Sequence, residues 1–383
     1  MNSKLILIVA GEASGDLHGS QLVRAMKLEQ PGLSFYGVGG GKLKEAGVDL
    51  WADVADMAVV GLTEVVPKLR MILTVMNRLK KSMRSLKPDL VILIDYPDFN
   101  LPLARSAKKN GIPVFYYISP QVWAWRKGRI KTISRVVDRM AVILPFEEAI
   151  YRQAGVDASF VGHPLLDVAH ATHSRSETLQ RFGLQENVTT VALLPGSRKG
   201  EVSRLLPDML KAARILTEKI SPVQFLLPVA DTLDVSWMSA LIAGANSPEI
   251  RLVQGATYDA VAAADVAIVV SGTATLETAL LGTPLIVIYS VSALTYMIGR
   301  MLISVEHIGL VNIVAGKSVA PELIQHEANP ERIAAEVLKI LNDAERRKVM
   351  QEELSRLREK LGRPGAAKRV ARMALTLMQN PGC

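Results

Sequence analysis

The sequence predicts an α/β fold of two Rossmann-like, doubly wound domains followed by a helical tail. Three observations predict it. Short, unbroken apolar runs alternate with helix-length amphipathic segments, and the series is made twice. Continuous runs of that length suit parallel strands covered on both faces. The 383 residues also exceed what one hydrophobic core ordinarily organises.

The first set of expected strands is 4–10, 34–38, 90–94, 114–118, 139–144 and 158–161. It closes near Gly162-His163-Pro164, and the polar segment 170–176 leads onward. The second set is 190–194, 224–228, 251–253, 266–270 and 285–289. After Pro330 the pattern turns helical, with Ile333, Val337, Ile340 and Leu341 on one face. The expected domains are 1–168 and 169–345, with a tail at 346–383. Ligands of open α/β sheets bind beyond the carboxyl ends of the strands, so the loops there should carry the chemistry, in a cleft between the domains.

Apolar residues make up 49% of the chain and charged residues 21%, which supplies two cores and argues against disorder. The aromatic share of 5% is too small for extended base-stacking platforms. A net charge of +8 favours phosphates of some kind without choosing among them. The clearest basic run is Arg126, Lys127, Arg129, Lys131 and Arg135; a second, near Lys360, Arg363, Lys368, Arg369 and Arg372, reads as a solvated helix face. Cys383 is the only cysteine, so neither an internal disulfide nor a cysteine metal cluster is expected, which fits a reducing compartment. The apolar start is too short for a signal peptide, and no run approaches about 20 apolar residues. Membrane contact would therefore be peripheral.

Gly11-Glu12-Ala13-Ser14-Gly15-Asp16 follows the first strand and opens a helix. Glycines there let a ligand approach the backbone, and the helix start favours anions. Glu12, Ser14 and Asp16 are cleft candidates, though Asp16 reads equally as a cap. Asp95-Tyr96-Pro97-Asp98-Phe99-Asn100 ends another strand. Asp98 is the candidate general base and Asp95 a structural or orienting group. A metal reading of the D-x-x-D spacing has no histidine cluster behind it, and none is expected. In Tyr117-Ile118-Ser119-Pro120-Gln121-Val122-Trp123-Ala124-Trp125-Arg126, Ser119, Trp125 and Arg126 are further cleft candidates. The tryptophans read either as a sugar platform or as core anchors. His163 and His18 lie near expected cleft positions without metal-ligand company.

The second domain offers a phosphate grip. Leu194-Pro195-Gly196-Ser197-Arg198-Lys199-Gly200-Glu201 follows its first strand, and Arg198 presents a planar fork suited to a diphosphate, with Gly196, Ser197 and Glu201 around it. Ser271, Gly272, Thr273 and Ala274 start a helix whose small residues leave first-turn N–H groups open to phosphate. Glu277, about a turn further in, is placed to accept from ribose hydroxyls. Together these read as a nucleotide-diphosphate site. In the segment 65–81, apolar residues are in excess and basic residues interleave. Val66, Leu69, Ile72 and Leu73 are the expected lipid contacts of a basic amphipathic helix, an ordinary packed helix being the alternative.

These segments together resemble the bacterial lipid-A-disaccharide synthase family, inverting glycosyltransferases of the two-domain type called GT-B. The resemblance runs through nearly the whole chain: V-A-G-E-A-S-G-D at 9–16, D-Y-P-D-F-N at 95–100, Y-I-S-P-Q-V-W-A-W-R at 117–126, L-P-F-E at 144–147, F-V-G-H-P at 160–164, L-L-P-G-S-R at 193–198, S-G-T-A-T-L-E at 271–277 and G-L-V-N-I-V-A-G at 309–316. Val311 stands where the family often has proline. The resemblance implies transfer of 2,3-diacylglucosamine from UDP-2,3-diacylglucosamine to the 6-hydroxyl of 2,3-diacylglucosamine 1-phosphate. UDP and the lipid A disaccharide 1-phosphate would be the products, with inversion and without metal or other cofactor. It implies Asp98 as base, Arg198 and the 271–274 helix start on the diphosphate, Glu277 on the ribose, and Asn312 in a loop that closes over the donor. It further implies an acceptor- and membrane-facing first domain, a donor-binding second one and C-terminal helices returning to the first. The place of work would be the cytoplasmic face of the inner membrane, with a homodimer left open.

Two other classes compete. An epimerase of UDP-N-acetylglucosamine on the same fold would need no lipid acceptor and no apolar basic helix. A non-catalytic binder of nucleotide or anionic lipid would not depend on Asp98. Nucleic acid is disfavoured, since no recognised motif accompanies the charge.

Overall fold

A computed structural model describes residues 4–53, 65–121, 127–292, 296 and 306–380, apart from the side chains at 65–68 and at 127. The chain forms two compact units: Met1–Pro164 with Leu361–Cys383, and Leu165–Lys360. These junctions differ from the expected 168 and 346, and packing explains the second. The helix Ala344–Lys360 buries Met350, Leu354 and Leu357, the Met350 sulfur accepts from Leu285 N–H at 3.4 Å, and Arg358 donates to the Leu280 carbonyl at 3.0 Å. That helix belongs to the second unit; only the last one belongs to the first.

The first unit holds β1 (Leu5–Ala10), β2 (Ser34–Gly39), β3 (Val48–Asp53), β4 (Leu90–Ile94), β5 (Val114–Tyr117), β6 (Arg139–Val142) and β7 (Ala158–Phe160). Its helices include α1 (Ala13–Glu29), α2 (Gly41–Glu45), α3 (Val65–Leu86), α4 (Pro97–Lys109), α5 (Ile130–Val136) and α6 (Pro145–Gln153). The second unit holds β8 (Thr189–Leu194), β9 (Val223–Val229), β10 (Ile250–Gln254), β11 (Val266–Val270), β12 (Leu285–Tyr289) and β13 (Glu322–Ile324). It also holds α7 (Arg175–Arg181), α8 (Lys199–Lys219), α9 (Val235–Ala243), α10 (Thr257–Ala262), α11 (Thr273–Leu280), α12 (Leu310–Ala315), α13 (Pro330–Asn342) and α14 (Ala344–Lys360). The last helix is α15 (Ala366–Gln379).

Both sheets are parallel throughout. The seven-stranded sheet runs β3-β2-β1-β4-β5-β6-β7 and the six-stranded one β10-β9-β8-β11-β12-β13. The unbroken apolar runs have the cause expected of them. In β1, Leu7 and Val9 enter one core with Leu79 of α3 and Leu103 of α4. Ile6, Ile8 and Ala10 enter the opposite core with Leu22 of α1 and Val370 of α15. Side chains alternate across a strand, so a strand covered on both faces is apolar at every position. Burying each such side chain contributes roughly 1.5–3 kcal/mol.

The strands β3 and β13 were not expected from the sequence. Each is an edge strand: β3 leaves most of its residues partly exposed and β13 has only three residues. Neither leaves a long apolar run to read.

Candidate functional site

In the first sheet the strand order reverses between β1 and β4. Open α/β sheets bind ligands beyond the carboxyl ends at such a reversal. The segments that follow those strands are packed into each other. A Cβ on Gly11 would lie 2.2 Å from the Tyr96 ring, so only glycine admits that ring. Asp95 and Tyr96 both take left-handed backbone angles, φ +45° and +46°, and Ile118 after β5 stands at +61°. Each such residue costs about 1–3 kcal/mol, and strain of this kind gathers at functional sites.

Buried donors hold the strained turn. The Tyr116 hydroxyl and the Asn100 amide both donate to the Asp95 carbonyl, at 2.5 and 2.7 Å, and Asn100 also reaches the Ile94 carbonyl at 3.1 Å. Just past the turn, Asp98 lies in the first turn of α4, behind Pro97. The helix dipole favours a carboxylate there. Its side chain is 68% exposed and forms an ion pair with Arg129.

Asp95 is half-buried. Burial, and next the nearby Glu12 charge, raise its carboxyl to about 6, against a lowering by the backbone bond from Tyr96. The two aspartates therefore differ in kind: one is solvent-facing and paired, the other recessed and reluctant to ionise.

Glu12 and Ser14 are exposed at the start of α1, and no side chain caps that helix. Asp16 requires a correction. It is buried, and its carboxylate accepts from Gly40, Lys42 and Leu43 N–H at 2.7, 3.0 and 3.0 Å. It caps α2 and is spent there rather than facing a ligand. Ser119 is buried. His18 and His163 are buried too, and burial lowers them to about 4 and about 3, so both are neutral at pH 7. The His163 backbone N–H donates to the Leu361 carbonyl at 2.9 Å. Trp123, Trp125 and Arg126 lie outside the described residues.

The second sheet reverses between β8 and β11, and the expected donor residues follow those two strands. Gly196 has φ +107°, and a Cβ there would meet the Glu201 carboxylate at 2.7 Å. The Thr232 hydroxyl pins the Ser197 carbonyl at 2.7 Å. Arg198 is the N-cap residue of α8; its side chain is 70% exposed and lies 3.8 Å from Glu201. Ser271 donates to the Ile308 carbonyl at 2.8 Å, and Gly272 is the N-cap residue of α11, ahead of Thr273 and Ala274. Neither α8 nor α11 has a side-chain cap, as is true also of the short α10 and α12, whereas α7, α9 and α13 are capped by Ser174, Asp234 and Asn329. Uncapped first-turn N–H groups, reinforced by the dipole, suit an anion. Glu277 is partly buried and accepts from the Tyr258 hydroxyl at 2.9 Å. Burial raises its carboxyl, and the Tyr258 bond opposes the rise.

Asn312 also requires a correction. It lies in α12, not in a loop, and is fully buried. Its carbonyl accepts from Val319 and Ala320 N–H, and its amide donates to Ala320 O and Glu322, all at 2.7–2.9 Å. Glu322 in turn accepts from Ile308 and Gly309 N–H at 3.0 Å. Asn312 thus braces the segment that Ser271 touches. Among the described residues no group of three His, Cys, Asp or Glu side chains is arranged to hold a metal ion.

The helix α3 divides along its length. Val75, Met76, Leu79 and Met83 are buried against the sheet, while Leu69 and Leu73 are 50% and 53% exposed. Ile72, expected to face lipid, is half-buried against the core instead. The Val66 side chain is not described. No described helix is long and apolar enough to cross a membrane.

Sequence reasoning had passed over Arg129, except as part of a basic run, and over Asn100 and Tyr116. Asn100 ends the D-Y-P-D-F-N motif, which was the available signal; Tyr116 reads as an ordinary strand residue.

The family model described as lipid-A-disaccharide synthetase matches residues 6–377. A lipid-A-disaccharide synthase from Syntrophus aciditrophicus is 79% identical over 383 residues, covering 100% of both chains. One from Trichlorobacter lovleyi is 50% identical over 376 residues, covering 98% of each. Among solved structures, a Staphylococcus aureus MnaA–UDP complex aligns with a TM-score of 0.66 at 13% identity, covering 98% of this chain and 97% of that one. Acinetobacter baumannii MurG aligns with 0.59 at 17% identity, covering 98% and 99%. At such identities these structures show a shared two-domain α/β fold.

Proposed function

The chain belongs to the lipid-A-disaccharide synthetase family, and from that premise we propose how its residues carry out the hexosyl transfer. The donor is UDP-2,3-diacylglucosamine and the acceptor 2,3-diacylglucosamine 1-phosphate. The acceptor's 6-hydroxyl gives its proton to the Asp98 carboxylate. The oxygen forms a bond to the anomeric carbon as the bond from that carbon to the UDP oxygen breaks, and the electron pair leaves with UDP. One displacement of this kind inverts the anomeric centre.

Charge on the departing diphosphate needs stabilising, and preorganised donors do this well. Arg198 and the uncapped starts of α8 and α11 supply them without a metal. Glu277 takes the ribose hydroxyls, its carboxylate oriented by Tyr258. Gly196, Ser197, Glu201, Ser271, Gly272, Thr273 and Ala274 shape that grip. Glu12, Ser14, Asp95 and Ser119 belong to the acceptor's surroundings. Leu69 and Leu73 touch lipid, so that acyl chains need not be lifted wholly into water at about 0.8 kcal/mol per CH₂. The place of action is the cytoplasmic face of the inner membrane.

One observation carries this reading: an exposed carboxylate, Asp98, borne on a strained and clamped turn at the sheet reversal. The test is purified protein with donor alone, then with donor and acceptor, in excess chelator, followed by product mass. Disaccharide 1-phosphate and UDP are expected only with both substrates. UDP-sugar turnover without acceptor, or no product in chelator, would reject the reading.

A further inference from the structure

We infer that Arg129 is a positioning residue for the transfer step, fixing the Asp98 carboxylate in the orientation that receives the acceptor's proton; this rests on Asp98 being the base proposed above. Arg129 ends the short 3-10 helix Lys127–Arg129 and is the N-cap residue of α5. Its Nη2 donates to Oδ1 of Asp98. The two side chains differ in depth, 22% exposed for Arg129 against 68% for Asp98.

That asymmetry separates the pair from a surface salt bridge. Exposed pairs join two mobile side chains and contribute about 0–1 kcal/mol. Here the cation is anchored. Ile133, one turn along α5, is fully buried, and Ile130 packs on the same core as Phe99, the neighbour of Asp98. The second terminal nitrogen of Arg129, Nη1, is buried with no hydrogen-bond partner among the described residues. Leaving a buried donor unsatisfied costs about 1–3 kcal/mol, and more on a charged group. A guanidinium kept at that depth with part of its bonding unmet has a use other than stability. The use that the geometry offers is its planar fork, which fixes direction as well as charge. Asp98 itself stands 68% exposed, so its direction depends on the groups that hold it. A reacting group displaced by about 1 Å loses on the order of 100-fold in rate.

The test is a mutant cycle on the full chain: Arg129→Ala, Arg129→Lys, Asp98→Ala and the Asp98→Ala/Arg129→Ala pair. Turnover with both lipid substrates, donor KM and UDP affinity are measured for each. Arg129→Ala should lower kcat by about 10- to 100-fold while donor KM and UDP affinity stay within about twofold. Arg129→Lys, which keeps the charge and loses the fork, should recover part of the rate. In the Asp98→Ala background the arginine substitution should cost nothing further, because Arg129 has no carboxylate left to orient. A kcat for Arg129→Ala within about twofold of the parent overturns the inference, as does an equal fractional loss in both backgrounds. Normal turnover by Asp98→Ala alone instead removes the base assignment itself.

Discussion

Asp95 sits with its carboxyl raised to about 6 by burial and by Glu12. Held above its unfolded value near 4, it adds stability that is complete below that value and is lost as pH rises through about 6. Asp95→Asn has no charge to bury. Its stability relative to the parent should therefore grow between about pH 4 and pH 7 and then level off. At about 1.4 kcal/mol per unit, the gain is on the order of 3 kcal/mol. Urea melts of both proteins at the two pH values check this; a constant difference would contradict it. Tyr116 tests the strained turn at the same scale. Tyr116→Phe deletes only the hydroxyl that meets the Asp95 carbonyl. It should cost about 0.5–1.5 kcal/mol of stability, and kcat should fall while UDP affinity holds. An unchanged kcat would mean that the turn does not govern Asp98.

At the scale of elements, strand and helix identity was written plainly in the chain where both faces are covered. The strands β4, β11 and β12 begin and end where their apolar runs do. The strands β3 and β13 were not legible, because β3 is broken by Asp49 and left mostly partly exposed and β13 has only three residues. The helix α3 shows why periodicity alone could not decide between lipid and core. Its apolar residues go both ways, with Val75 and Leu79 packed inward and Leu69 and Leu73 left exposed. Leu69→Glu with Leu73→Glu should therefore reduce binding to anionic vesicles in a sedimentation assay and leave the melting temperature nearly unchanged, since neither residue is buried. Lost folding with unchanged vesicle binding would assign those leucines to packing. On the donor side, Arg198 is exposed and its helix start has no side-chain cap. Arg198→Ala should weaken UDP binding by about 10- to 100-fold, as charge-assisted bonds to phosphate would. Calorimetry showing unchanged affinity would move the diphosphate elsewhere.

Across the whole molecule, the two-unit organisation was readable from the repeated strand series, but its seams were not. The expected junction near 346 falls inside the helical stretch that follows Pro330, and composition gives no hint that α14 lies against β12 and α11 rather than leaving them. The candidate site residues were legible to the extent that they stand just after strands, in a connecting segment or a first helical turn: Glu12, Asp98, Arg198 and the 271–274 start all do. What was hidden was long-range partnership. Asp16 serves α2, Asn312 serves Glu322, and Arg129 serves Asp98. No spacing in the sequence records such contacts, and two of the three tie up side chains expected to face a ligand. The measurement that bears most directly on the whole account is kcat of Asp98→Asn at saturating donor and acceptor, alongside its affinity for UDP. General-base loss predicts a fall of about 100- to 10,000-fold with UDP binding intact. A rate near the parent's, with UDP bound as before, would contradict it.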